Sequence, residues 1–122
     1  MATLDITPEQ ARQLREQCKA KIELRDTLHR LEQNPDFQKI REDYLNKEPV
    51  RLVHLLAEPS FNFGGKKELH REELHEAMIG IARFSEYIRN VYRLAEQAEK
   101  TLQDLQAAET SMHEDIIDVT NN

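Results

Sequence analysis

At 122 residues the chain has the length of one domain rather than two, and 39% apolar residues, 6% aromatic, no Trp and 3 Gly are lean for a compact core. Ala, Leu, Glu, Gln, Lys and Arg dominate, which favours long helices. A lone Cys18 excludes an internal disulfide and fits a reducing compartment. No apolar run reaches the roughly 18 residues of a membrane span, and residues 1–7 do not read as a secretory signal.

The net charge of −6 is unevenly spread. Residues 1–100 carry 17 Lys and Arg against 18 Asp and Glu, whereas residues 101–122 carry five acids and no Lys or Arg. A nearly neutral body with an acidic end argues against nucleic-acid binding, which rests on neutralising many phosphates.

The first helix announces itself with Thr7 as N-cap, Pro8 at the first helical position and Gln10 completing a capping box. It is predicted over 8–33, about 39 Å long at about 1.5 Å per residue. Its apolar stripe is Ala11, Leu14, Cys18, Ile22, Leu24, Leu28 and Leu31. Asn34-Pro35 ends it and opens a short amphipathic helix over 35–46 with Phe37, Ile40, Tyr44 and Leu45. Glu48-Pro49 restarts the pattern for a helix over 49–58. Its Val50, Leu52, Val53, Leu55, Leu56 and Ala57 are apolar nearly all round, so it is expected to be the buried centre of the fold. Phe61-Asn62-Phe63-Gly64-Gly65 reads as a loop.

The last helix, predicted over 66–109, has the strongest pattern. Leu74, Ala77, Ile81, Phe84, Ile88, Val91, Ala95, Ala98, Leu102 and Leu105 alternate in steps of three and four, as in a coiled coil. Met78, Tyr87, Tyr92 and Leu94 widen the stripe in the first half, and beyond Ala95 it narrows to a two-position seam. About 44 residues span about 66 Å, while a compact body of this size is only about 35 Å across. The narrow seam is therefore expected to be covered by another copy or another protein, with a monomeric helical hairpin as the competing arrangement. The interface residues so expected are Leu74, Ile81, Phe84, Ile88, Val91, Ala95, Ala98, Leu102 and Leu105.

Candidate chemistry is sparse. Glu72 and His75 form a Glu-x-x-His pair of the kind used in carboxylate-bridged di-iron bundles, but no second copy of the motif occurs. A hydrated helix face is the plainer reading, and His70 lies five residues from His75, not four. His54 reads as a hydrogen-bonded core or interface histidine and Cys18 as a packed thiol. With no nucleophile elbow, Cys-x-x-Cys or phosphate-binding loop, no enzyme activity, metal or cofactor is expected.

Two stretches are candidate contact segments. The loop with Phe61 and Phe63, followed by Lys66 and Lys67, reads as a connector or a protein-contact loop. The acidic tail, 111–122, sets Ile116, Ile117 and Val119 among its acids, a pattern suited to docking in a partner groove or adding an edge strand as well as to disorder.

Three runs carry a resemblance: Asn34-Pro35-Asp36-Phe37-Gln38-Lys39-Ile40, the stretch Arg51 to Pro59, and the stretch Ile79 to Ile88. In helix lengths and apolar positions over about residues 14–105, the chain resembles small helical proteins encoded by tailed bacteriophages. The resemblance implies a non-enzymatic part of a phage particle or an accessory to its assembly, in the virion or the host cytoplasm. Phages also encode small acidic helical proteins that inhibit host defence, so a regulator binding one host protein is the alternative it implies.

The expected fold is all-α: a single helical domain over 1–110, built as an extended hairpin or bundle with a long coiled-coil-like C-terminal helix, followed by the acidic tail. The expected function is structural or assembly work through helix–helix association, with the chain itself as partner, in a homo-oligomer, or another protein.

Overall fold

The computed structural model describes residues 6–58 and 67–121, with side chains over 6–58 and 71–111. The fold is all-α, with no strand among the described residues. Its elements are α1 (Pro8–Glu32), α2 (Pro35–Glu42), a π-helical turn (Asp43–Lys47), α3 (Glu48–Ala57) and α4 (Lys67–Asn121).

Local chemistry explains the boundaries. At the start of α1, the Thr7 N–H donates to Gln10 Oε1 at 3.0 Å and the Gln10 N–H donates to Thr7 Oγ1 at 3.1 Å, which is the expected capping box. Asn34 is extended (φ −74°, ψ 123°), as the clash with Pro35 demands, and its side chain accepts from the Asp36 and Phe37 N–H groups at 2.8 and 3.3 Å. One residue thus ends α1 and starts α2. Gln38 reaches back across this corner, its Nε2 donating to the Glu32 carbonyl at 2.9 Å. Glu58, which precedes Pro59, turns extended (φ −63°, ψ 128°) and stops α3.

The expected break at Glu48-Pro49 does not occur. Helical backbone runs from Pro35 to Ala57, and Pro49 sits in the first turn of α3. Proline lacks an N–H and its ring crowds the carbonyl four residues back, here that of Leu45. The chain absorbs this by widening one turn, in which the Glu48 N–H donates to the Asp43 carbonyl, five residues back. Arg51 spans the widened turn by pairing with both Glu48 and Asp43. Hydrogen bonding from Glu48, then from Asp43, raises the Arg51 guanidinium above its ordinary pKa.

The chain divides into two compact units. The first combines residues 1–27 with 91–122, and in it α4 packs against α1. Arg15 pairs with Glu109 and Arg25 with Glu99, which sets the two helices antiparallel. Cys18, Val91, Ala95, Ala98 and Leu105 are buried, with Leu14, Ile22 and Leu102 half-buried beside them. Small residues at Ala95 and Ala98 suit close approach of two helix backbones. In this structure α1 of the same chain covers the seam, the hairpin arrangement that competed with cover by another copy or another protein. Leu24 drops out of the stripe and is exposed, and Arg25 takes the half-buried position beside it.

The second unit, residues 28–90, comprises the end of α1, the α2–π–α3 rod and the first part of α4. Among its described residues Leu52, Ile81 and Ile88 are buried, while Leu31 is exposed. Tyr44 and Phe84 meet edge to face with ring centroids 5.7 Å apart, a favoured aromatic geometry. Arg41 pairs with Glu32 at 3.2 Å. The expectation of a buried α3 is corrected, because this helix buries Leu52 alone and exposes Val50, Val53 and Leu55.

Beyond residue 109 the structure also differs from the expected boundary. The α4 backbone stays helical to Asn121.

Candidate functional site

Two surface features of the second unit stand out. The first is the set of exposed apolar residues on α3. Leu52, Leu56 and Pro49 recur at steps of three and four and form its covered side. The remaining apolar residues turn outward, Val50 at 55% exposed, Val53 at 57% and Leu55 at 48%. Ile40 and Tyr44 on the rod, and Ile79 and Tyr87 on α4, are exposed in the same unit. Isolated exposed aliphatics are ordinary, but a helix apolar nearly all round normally has both sides covered.

The second feature is a groove of about 530 Å³ between the α2–π–α3 rod and α4. Leu45, Pro49, Met78, Ile81 and Ala82 make its apolar lining, while Arg41, Asn46, Ser85 and Arg89 supply the polar groups. The widened turn contributes Leu45 and Asn46, so the accommodation of Pro49 also shapes this wall. Among the described residues, no acidic side chain lines the groove.

Of the expected interface residues, Ile81, Ile88, Val91, Ala95, Ala98 and Leu105 are buried within the chain and Leu74, Phe84 and Leu102 are half-buried. Their periodicity marks covered positions, and the cover comes from the chain itself. Phe61, Phe63 and Lys66 of the candidate contact loop lie outside the described residues. Lys67 opens α4, and its side chain lies outside them too. The side chains of Ile116, Ile117 and Val119 are likewise outside the described residues, though their backbone is helical.

The other sequence candidates are dispersed. Cys18 is buried as a free thiol on α1, His54 is exposed, and Glu72 and His75 are exposed beside Arg71 and Glu76 at a shallow recess. No group of three metal-ligating side chains occurs among the described residues. None of the buried side chains there is polar or charged. The resolved pKa shifts raise arginines: Glu9 acts on Arg12 and Glu99 on Arg25, each through a hydrogen bond, as Glu48 does on Arg51. Also among the described residues, no helix is long and apolar enough to cross a membrane.

Sequence reasoning missed the groove. Arg41 and Arg89 are 48 residues apart and belong to different helices, so only packing brings them to one cleft. Pro49 was the available signal, since a proline inside an apolar helical run must either break or distort the helix. No family model, curated protein or solved structure matches this chain.

Proposed function

We propose that this protein is a non-catalytic structural or assembly protein that works by self-association, with the exposed apolar residues of α3 as its contact. The observation that carries the reading is the exposure of Val50, Val53 and Leu55 on a helix that is apolar nearly all round. Charge supports a second copy as the partner. Residues 28–90 carry 10 Lys and Arg against 11 Asp and Glu, so two such units, each of net charge −1, meet with little net repulsion. The rest of the chain carries 7 against 12 and is the part that would repel. The resemblance to small helical proteins of tailed phages supports particle assembly as the setting.

The test is light scattering behind size-exclusion chromatography on the full chain and on Val50→Asp/Val53→Asp. An oligomer that becomes a monomer of unchanged helix content supports the reading. An oligomer unaffected by both substitutions overturns it.

A second reading, an acidic regulator that binds one host protein, is favoured by the five acids and no Lys or Arg in residues 101–122. It expects a monomer that forms a salt-sensitive 1:1 complex and loses it when residues 111–122 are removed.

A further inference from the structure

We propose that the groove between the α2–π–α3 rod and α4 receives the segment Glu114–Val119 of a second copy of this chain. This rests on the self-association reading and adds a distinct contact to it.

The groove and the segment are complementary in both charge and apolar content. Arg41 on α2 and Arg89 on α4 bring positive charge from two different helices, and no acid lines the groove among the described residues, Glu32 and Glu42 lining the adjoining recess that shares Arg41. Arg41 shares its charge with Glu32 at 3.2 Å, whereas Arg89 forms no ion pair among the described residues. Between them lie Leu45, Pro49, Met78, Ile81 and Ala82. The segment Glu114-Asp115-Ile116-Ile117-Asp118-Val119 offers three carboxylates and three aliphatic side chains in six residues. Guanidinium groups bind carboxylates through paired, charge-assisted hydrogen bonds, and branched aliphatics fill an apolar floor.

The position of the segment adds a reason for it to seek cations. It lies in the last turns of α4, which ends at Asn121 with no basic residue in its final turn. Carboxylates at a helix C-terminus oppose the helix dipole, so an external guanidinium relieves an unfavourable local field. Arg89 and this segment lie on the same helix, and the occupant proposed for the groove is the segment of a second copy. Such a contact is heterologous: the groove of one copy takes the end of the next.

Sedimentation velocity tests this on the full chain, Arg89→Glu, Asp115→Arg/Asp118→Arg, and an equimolar mixture of the two variants, with helix content followed by circular dichroism. Each variant alone is expected to self-associate about tenfold more weakly than the unaltered chain, the loss produced by one reversed charge contact. The mixture is expected to recover the loss, because it pairs an intact groove with an intact acidic segment. Unchanged association of both variants, with association still lost in Val50→Asp/Val53→Asp, overturns the docking contact and leaves the self-association reading standing. Loss in each variant without recovery on mixing also overturns the docking contact. An unaltered chain that stays monomeric at all concentrations overturns both.

Discussion

The Arg25 guanidinium on α1 hydrogen-bonds the Glu99 carboxylate on α4 across the edge of the seam between the two helices. Arg15 and Glu109 form the second cross-pair, ten residues earlier on α1 and ten later on α4. Equal steps in opposite directions define one antiparallel alignment, and Ala95, Ala98 and Leu105 are buried along it. The two charge pairs at the edge of the seam thus mark which turns of two regular helices meet, while apolar burial supplies the attraction.

That arrangement predicts recovery by charge exchange. Arg25→Glu opposes Glu99 with a like charge and should lower the thermal midpoint by a few degrees, and Arg25→Glu/Glu99→Arg should regain most of the loss. Melting curves of the two single variants and the double variant make a cycle that isolates the pair. A double variant no better than the sum of its singles would remove the pair from the account of register.

The seam itself should resist enlargement. Ala95 is 0% exposed, so Ala95→Leu forces three extra carbons between closely packed helices and should cost about 1–3 kcal/mol. Chemical denaturation measures this through a lower midpoint at unchanged slope. Leu102→Asp with Leu105→Asp should open the α1–α4 pairing of a single chain, read as lost helix protection around residues 14–25 in hydrogen exchange. Loss of oligomers with that protection intact would instead return the seam to an intermolecular role.

Asn34 is asked to do two things, ending α1 and capping α2 through Asp36 and Phe37. Asn34→Ala removes the acceptor from two N–H groups and should destabilise the protein by about 1 kcal/mol. Asn34→Asp should be nearly neutral, since a carboxylate accepts the same bonds and complements the α2 N-terminus. Comparing the two denaturation midpoints separates the cap from any general role of the side chain.

Gly80 offers a stabilising change. It has no positive φ, and a Cβ there would stand 3.6 Å from the Tyr44 hydroxyl, an ordinary van der Waals contact. Glycine inside a helix costs about 0.5–1 kcal/mol relative to alanine, so Gly80→Ala should raise stability by about that amount. A lower midpoint would mean that Tyr44 and Phe84 must move to admit the methyl group.

Much of this architecture was legible residue by residue. The capping box of Thr7 and Gln10, the corner at Asn34-Pro35 and the all-helical class follow from interactions within a turn or two of chain. Such local terms travel with the sequence. The three- and four-residue steps from Leu74 to Leu105 likewise announced a covered stripe, because helical periodicity decides which positions share a face.

What covers that stripe was decided by tertiary structure, because periodicity is the same whether the cover is α1 or a second chain. Only non-local pairing, Arg15 with Glu109 and Arg25 with Glu99, assigns it to α1. The same holds for α3, whose apolar residues could not reveal that Leu52 packs inward while Val50 and Val53 stay out. Hydrophobicity measures a side chain's tendency to be covered, and the cover must be supplied by elements distant in the chain. Pro49 shows both halves: its missing N–H guaranteed a disturbance near Leu45, but the surrounding packing determined that the helix would widen into a groove wall rather than stop.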